Sequence, residues 1–257
     1  MPVSLRRFLR LGPASPRRAL FPAILALLAA ASIGAAPVGA ASGSTRDLYF
    51  TSGYERQVDG RTCTAASTAM MMNFIARRDL NLSQMAILRY EQPRDALNDA
   101  VQRGSDPLGW SKALTYFGPR TGKSFTYNWE AYTSESAALK RAATQIAVTR
   151  KPVGLAIWNG QHAVVMTGFI ASRDPRLGAF TLTHVWISDP YGSSHKRYTA
   201  AGSPLDPYLE LDATSAYDKA WYRKYVIVVP QGTYTPPAPS PTPTPTPLPV
   251  GMVVPVR

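Results

Sequence analysis

The chain has 257 residues, a formal net charge of +12 from 28 Lys and Arg against 16 Asp and Glu, and a single cysteine, Cys63. One cysteine excludes an internal disulfide framework, and three scattered histidines beside it offer no metal-ligand spacing. No cofactor motif stands out either, since the Met70-Met71-Met72 run reads as helix core.

Residues 1–40 carry Arg6, Arg7, Arg10, Arg17 and Arg18 with no acid, followed by an apolar run from Ala19 to Ala36. This pattern is that of an export signal, with Val38-Gly39-Ala40 as the small-residue cleavage site. Pro22 and the short, alanine-rich run argue against a stable membrane span. The paired arginines fit the general export route or the twin-arginine route, so the expected location is secreted or attached to the cell envelope. Removing those five arginines lowers the formal charge from +12 to +7. The remaining basic residues are scattered, which speaks against nucleic acid as a partner while leaving attraction to an anionic envelope. From Thr233 the sequence TYTPPAPSPTPTPTPLPVGMVVPVR is a Pro/Thr-rich tail, unable to bury a core. A domain of residues 41–232 lies between, long enough for a sizeable core.

Within that domain, Leu48-Tyr49-Phe50 is a short apolar segment before a polar loop. A helix is expected over 63–77, its small residues Ala65, Ala66, Ser67 and Ala69 allowing close packing. Further helices are expected at 82–90, 94–103 and 107–117, the last with Asp106 as N-cap, Pro107 at its first position and Gly118 as its stop. A strand is expected over 124–129 and a helix over 134–149. Strands then dominate, at 152–158, 162–170, 180–188 and 225–229. Asn159-Gly160 signals a tight hairpin turn, with Gln161 able to lengthen it. Helices first and an antiparallel sheet second make an α+β domain.

Four residues in this frame carry chemistry. Cys63 sits where a loop becomes a helix, so the N–H groups of the first turn can stabilise a thiolate. By cysteine count alone, two readings stand side by side, a small buried hydrophobe and a nucleophile. Gln57, six residues earlier, could donate an amide N–H to an oxyanion. His162 opens a strand in WNGQHAVVMTGF, and Asp189 ends the next one in VWISDPYG. Each alone has an ordinary explanation, His162 as a sheet residue and Asp189 as a turn aspartate before proline. Trp158 and Gly160 flank the histidine and are candidate substrate-binding residues. Trp110 could also line the cleft, with core packing the better reading, while His184 reads as a sheet residue and His195 as an exposed loop residue.

In this order and spacing the set resembles the papain-like cysteine peptidases, and within them the bacterial family thirty-nine-like peptidases related to bacteriocin leader-processing domains. The matching pieces are Gln57 to Ala66, Gly154 to Phe169 and Ile187 to Gly192. The resemblance implies a papain-like fold, an N-terminal helical half packed on a C-terminal antiparallel sheet. It implies Cys63 as nucleophile, His162 as general base and acid, Asp189 as its orienter and Gln57 as the oxyanion-hole residue. Arg61-Thr62-Cys63-Thr64-Ala65 departs from the usual cluster around the nucleophile, and the 27 residues from His162 to Asp189 form a long connection. The expected partner is a peptide or protein substrate, with cell-wall peptide as the alternative and no cofactor. The sequence leaves the oligomeric state open. A non-catalytic surface binding module of the same fold is the reading from another class.

Overall fold

The computed structural model describes residues 43–97, 104–209 and 218–235. The chain divides into compact units of residues 1–39 and 40–257, and all described residues belong to the second. The expected export signal over 1–40, the tail beyond residue 235 and residues 98–103 of the helix expected at 94–103 lie outside the described residues. Among the described residues no helix is long and apolar enough to cross a membrane.

The fold is α+β. Its strands are β1 (Ser44–Asp47), β2 (Tyr127–Tyr132), β3 (Val153–Ile157), β4 (His162–Ala171), β5 (Leu182–Ser188), β6 (Lys196–Thr199) and β7 (Tyr225–Pro230). Its α-helices are α1 (Cys63–Ala76), α2 (Gln84–Glu91), α3 (Pro107–Phe117), α4 (Glu135–Thr149) and the single turn α5 (Asp218–Trp221). The strands form one antiparallel sheet in the order β2-β7-β3-β4-β5-β6. Strand β1 joins β4 along Gly168 to Ala171, on the edge that β3 leaves after Met166. Gly168 makes this junction possible, because a Cβ there would lie 2.2 Å from the Arg46 carbonyl oxygen.

Alternation along the central strands feeds two cores. Leu155, Ile157, Val164, Met166, Ile227 and Val229 pack with Ala142, Ala143 and Ile146 of α4. Ala163, Val165 and Val228 pack instead with Cys63, Met70 and Phe74 of α1 and with Trp110 of α3. Helices therefore cover both faces of the sheet, which explains why β3 is buried at every residue rather than at every second one. The helical half expected on one face is there, and α4 adds a layer on the other.

Helix α1 is buried from Cys63 to Ile75, with no polar stripe. Its alanines permit this: Ala65 and Ala69 touch Ile87 and Leu88 of α2 and Ala113 of α3, while Ser67 Oγ donates to the Ala163 carbonyl of β4 at 3.2 Å. Helix α3 has the expected bounds, with Asp106 accepting from the N–H groups of Leu108 and Gly109. Gly118 is its C-cap, as expected, although not in the left-handed form. It stays right-handed and opens a 3₁₀ turn, and the left-handed glycine that ends the segment is Gly122, at φ 79°. Strand β2 begins at Tyr127, so the expected strand over 124–129 lies three residues early. The residues Asp95 to Leu97 of the expected 94–103 helix are not helical.

His195, expected exposed, is only partly so. Its ring stacks on Tyr49 at 4.1 Å and faces Trp186 at 6.4 Å, and its Nε2 lies 2.8 Å from Asp47 Oδ2. The polar string before β6 thus closes over β1, a tertiary contact that local sequence does not announce.

Candidate active site

The loop entering α1 is shaped by Asp59 and Thr62. Asp59 Oδ1 accepts from the Arg61 N–H at 2.8 Å, while the Thr62 hydroxyl exchanges hydrogen bonds with the Asp59 backbone at 3.1 and 3.2 Å. That hydroxyl is consequently unavailable as a cap, and α1 starts without a side-chain cap. The N–H groups of its first turn remain free for another acceptor. The backbone N–H groups of Ala163 on β4 and of Thr64 and Cys63 face the Cys63 sulfur and favour its ionised form.

Burial opposes these donors and wins. Cys63 is 7 % exposed, and desolvation pushes its thiol up to about 11, with the nearby Glu91 carboxyl adding to the effect. At neutral pH the resting group is the thiol, so a base must take its proton as it reacts.

His162 is the imidazole that shares a cleft with Cys63, a cavity of about 370 Å³. It is the first residue of β4. The connection before it is a turn at Asn159-Gly160 lengthened by Gln161, as the sequence allowed, and by Trp158. Trp158–Gly160 form a 3₁₀ turn in which Trp158, Asn159 and Gly160 take φ of 55°, 60° and 99°. Only glycine adopts this region freely, so Trp158 and Asn159 hold strain that the surroundings must fix. Asp206 accepts the Asn159 N–H at 3.1 and 3.2 Å, the Leu209 N–H donates to the Asn159 carbonyl at 2.8 Å, and the Tyr208 ring closes over Gly160. The result is an indole stacked on the histidine, with Trp158 4.4 Å from the His162 ring. Trp158 is itself 49 % exposed and Gly160 lines the cleft.

Asp189 follows β5, whose pairing of Ser188 with Val165 brings it near the start of β4. Its Oδ1 lies 2.8 Å from His162 Nε2 and accepts the Tyr191 N–H at 2.8 Å. Burial raises this carboxyl, but the bonds from His162, Tyr191 and Gly192 outweigh it and hold it below the usual carboxylate range. An ionised carboxylate only accepts, so Nε2 carries the imidazole proton and Nδ1 is left as the acceptor. Tyr54 Oη donates to the Asp189 carbonyl at 3.0 Å, tying the turn to the loop that precedes α1.

Gln57 belongs to that loop. Its N–H donates to the Pro190 carbonyl at 3.0 Å, and its Nε2 donates to the Asp59 carbonyl at 2.8 Å. Its side chain is not part of the cleft lining shared by Cys63 and His162. Its Oε1 is buried without a hydrogen-bond partner, and its Nε2 keeps a second hydrogen.

Three acids near Cys63 carry no sequence signal for the site, and only Asp106 is legible at all, as the N-cap of α3. Glu91 is fully buried under α1 and accepts from Thr64 Oγ1 at 2.8 Å and Thr68 Oγ1 at 3.3 Å. Asp95 and Asp106 line the cleft. In QMAILRYE the glutamate ends an ordinary amphipathic helix, and nothing local marks it as buried. Among the described residues no group of His, Cys, Asp and Glu is arranged to hold a metal ion.

Glu91 sets a pH dependence of stability. Desolvation raises its carboxyl from 4.5 to about 7, so its contribution is fully present below about pH 4.5 and is lost as pH rises through 7. Thermal melts should accordingly show Tm falling between pH 5 and pH 8, and Glu91→Gln should flatten that slope. An unchanged slope in the variant would remove Glu91 as its source.

Set against known proteins, the chain matches no family model and no curated protein. The site must therefore be interpreted from its own geometry.

Proposed function

We propose that the domain is an exported, papain-like thiol hydrolase that cleaves peptide amide bonds. The observation that carries this reading is the 2.8 Å contact of His162 Nε2 with Asp189 Oδ1, on a ring that shares a cleft with the uncapped helix start at Cys63. A buried structural cysteine would need none of these arrangements.

The steps follow from the assigned tautomer. His162 Nδ1 takes the Cys63 proton as sulfur attacks the carbonyl carbon, and the new imidazolium is stabilised by Asp189. The Cys63 N–H serves the oxyanion, and the second Nε2 hydrogen of Gln57 joins it only when that side chain turns from its place outside the cleft lining toward the sulfur. His162 returns its proton to the leaving nitrogen, the C–N bond breaks, and a thioester remains. Water then attacks the thioester, His162 accepts its proton, and the acid product leaves with the thiol restored.

Incubating the mature protein with unstructured peptides, and separately with purified peptidoglycan, tests the reading. New amine termini should appear in the peptides with wild type and not with Cys63→Ser. Solubilised stem peptides instead would assign the same chemistry to the cell wall, in keeping with the charge of +7 left after signal removal and with the Pro/Thr tail. Identical digests for wild type and Cys63→Ser would overturn the proposal.

A further inference from the structure

The cleft beside Cys63 contains a carboxyl that the reaction does not use. Asp95 Oδ1 accepts from Ser105 Oγ at 2.6 Å and from the Asp106 N–H at 3.1 Å. Its Oδ2 has no hydrogen-bond partner among the described residues, and no Lys or Arg there forms an ion pair with it. Asp106 is different, because four backbone N–H groups bind its two oxygens, from Ala96, Leu97, Leu108 and Gly109. Asp106 is therefore spent on structure, whereas Asp95 has acceptor capacity left.

The fold goes out of its way to hold Asp95 there. Gly109, in the first turn of α3, has no Cβ, and one would lie 1.9 Å from Asp95 Oδ1. Arg61, the cationic residue on the same lining, pairs with Asp59 at 3.3 Å and does not neutralise Asp95. A second group in this wall is also unmet: Trp110 is 1 % exposed, lines the cleft, and its indole N–H has no acceptor. Leu97, Pro107 and Ala156 supply apolar surface between such polar groups. An unpaired carboxyl facing a half-enclosed cavity is costly to ionise, and a ligand cation reverses that cost.

We propose that this cleft selects substrates carrying an ammonium or guanidinium group, with Asp95 as its charge partner, a proposal that rests on the thiol-hydrolase reading of the same cleft. The stem of a lysine or arginine side chain lies against the apolar wall, and a peptide carbonyl answers the Trp110 indole. Desolvation and the neighbouring Asp106 raise the Asp95 carboxyl in the empty cleft, and an entering cation favours its ionised form. Asp95 is a specificity residue here and takes no part in proton transfer.

Because Cys63 is the only cysteine, its modification reports the charge preference of the cleft directly. Three methanethiosulfonates serve as probes, the cationic aminoethyl, the neutral methyl and the anionic sulfonatoethyl reagents, read by intact mass on the full mature chain. Rates are normalised to those of a small free thiol and to the neutral reagent. Wild type should favour the cationic over the anionic reagent by about tenfold, a preference that salt weakens. In Asp95→Asn, which keeps the shape and one acceptor oxygen, the ratio should fall to near one. A wild-type ratio of one or below overturns the proposal without the need for any variant. An unchanged ratio in Asp95→Asn overturns the assignment to Asp95. Failure of Cys63 to react with any reagent overturns this proposal and the thiol reading together. Ready reaction with the neutral reagent and no charge preference overturns this proposal alone.

Discussion

Replacing His162 by alanine should lower peptide-amide turnover by about four orders of magnitude, the upper range for loss of a general acid–base group. The size follows from the thiol. Burial holds Cys63 at about 11, so without a proton acceptor almost none of it is thiolate at neutral pH. The three N–H groups at the sulfur do not offset that desolvation, and the base must do so during attack. In the proposed mechanism the same residue then donates to the leaving nitrogen, so its loss should be felt twice. Asp189→Asn should act through the same ring: the amide can present N–H toward Nε2 and so favour the wrong tautomer. Near-normal turnover in His162→Ala would dismiss His162 as the base. Circular dichroism and a melt on the same sample check that β4, whose pairing with β3 begins at His162 and Ile157, is intact.

The second large effect belongs to Gln57. Gln57→Ala should reduce kcat by about 100- to 1000-fold, the range for loss of one oxyanion donor. The structure gives this prediction a specific shape. Nε2 already holds the Asp59 carbonyl at 2.8 Å, so only its second hydrogen is free. Since the oxyanion exists only in the transition state and the intermediate, KM should change little while kcat falls. The backbone N–H that binds the Pro190 carbonyl survives the substitution, so the loop should stay in place. A variant with normal kcat would leave the Cys63 N–H as the donor and remove Gln57 from the mechanism.

Much of the frame was legible because it depends on local signals. Asp106 and Pro107 announce α3, and the expected ranges at 134–149, 152–158, 162–170 and 225–229 overlap α4, β3, β4 and β7. The small residues of α1 signalled close packing, and the structure buries the helix from Cys63 to Ile75. The errors fall where tertiary contact decides. The hairpin before His162 was legible at Asn159-Gly160 with Gln161 able to lengthen it, but its strain at Trp158 was not, because Asp206, Tyr208 and Leu209 hold it from outside the hairpin. Strands β1 and β6 are short and polar, and they form only because β4 and β5 offer edges to them. The order of Gln57, Cys63, His162 and Asp189 pointed to a shared site, and the structure brings the last three to one place while directing the Gln57 amide at Asp59. Glu91, Asp95 and Asp106 were not legible as a group, because burial of an acid is a property of the packed helices and not of its neighbours in sequence.

The claim at the centre of this account is that His162 makes the buried thiol reactive. Iodoacetamide alkylation of Cys63, followed by intact mass from pH 5 to pH 11 in wild type and His162→Ala, tests it without any knowledge of the substrate. Wild type should be alkylated readily at neutral pH, at least about 100-fold faster than the variant, whose rate should climb only toward the alkaline range set by the thiol at about 11. Superimposable profiles in the two proteins would show that Cys63 is a buried thiol with no base, and would contradict the account.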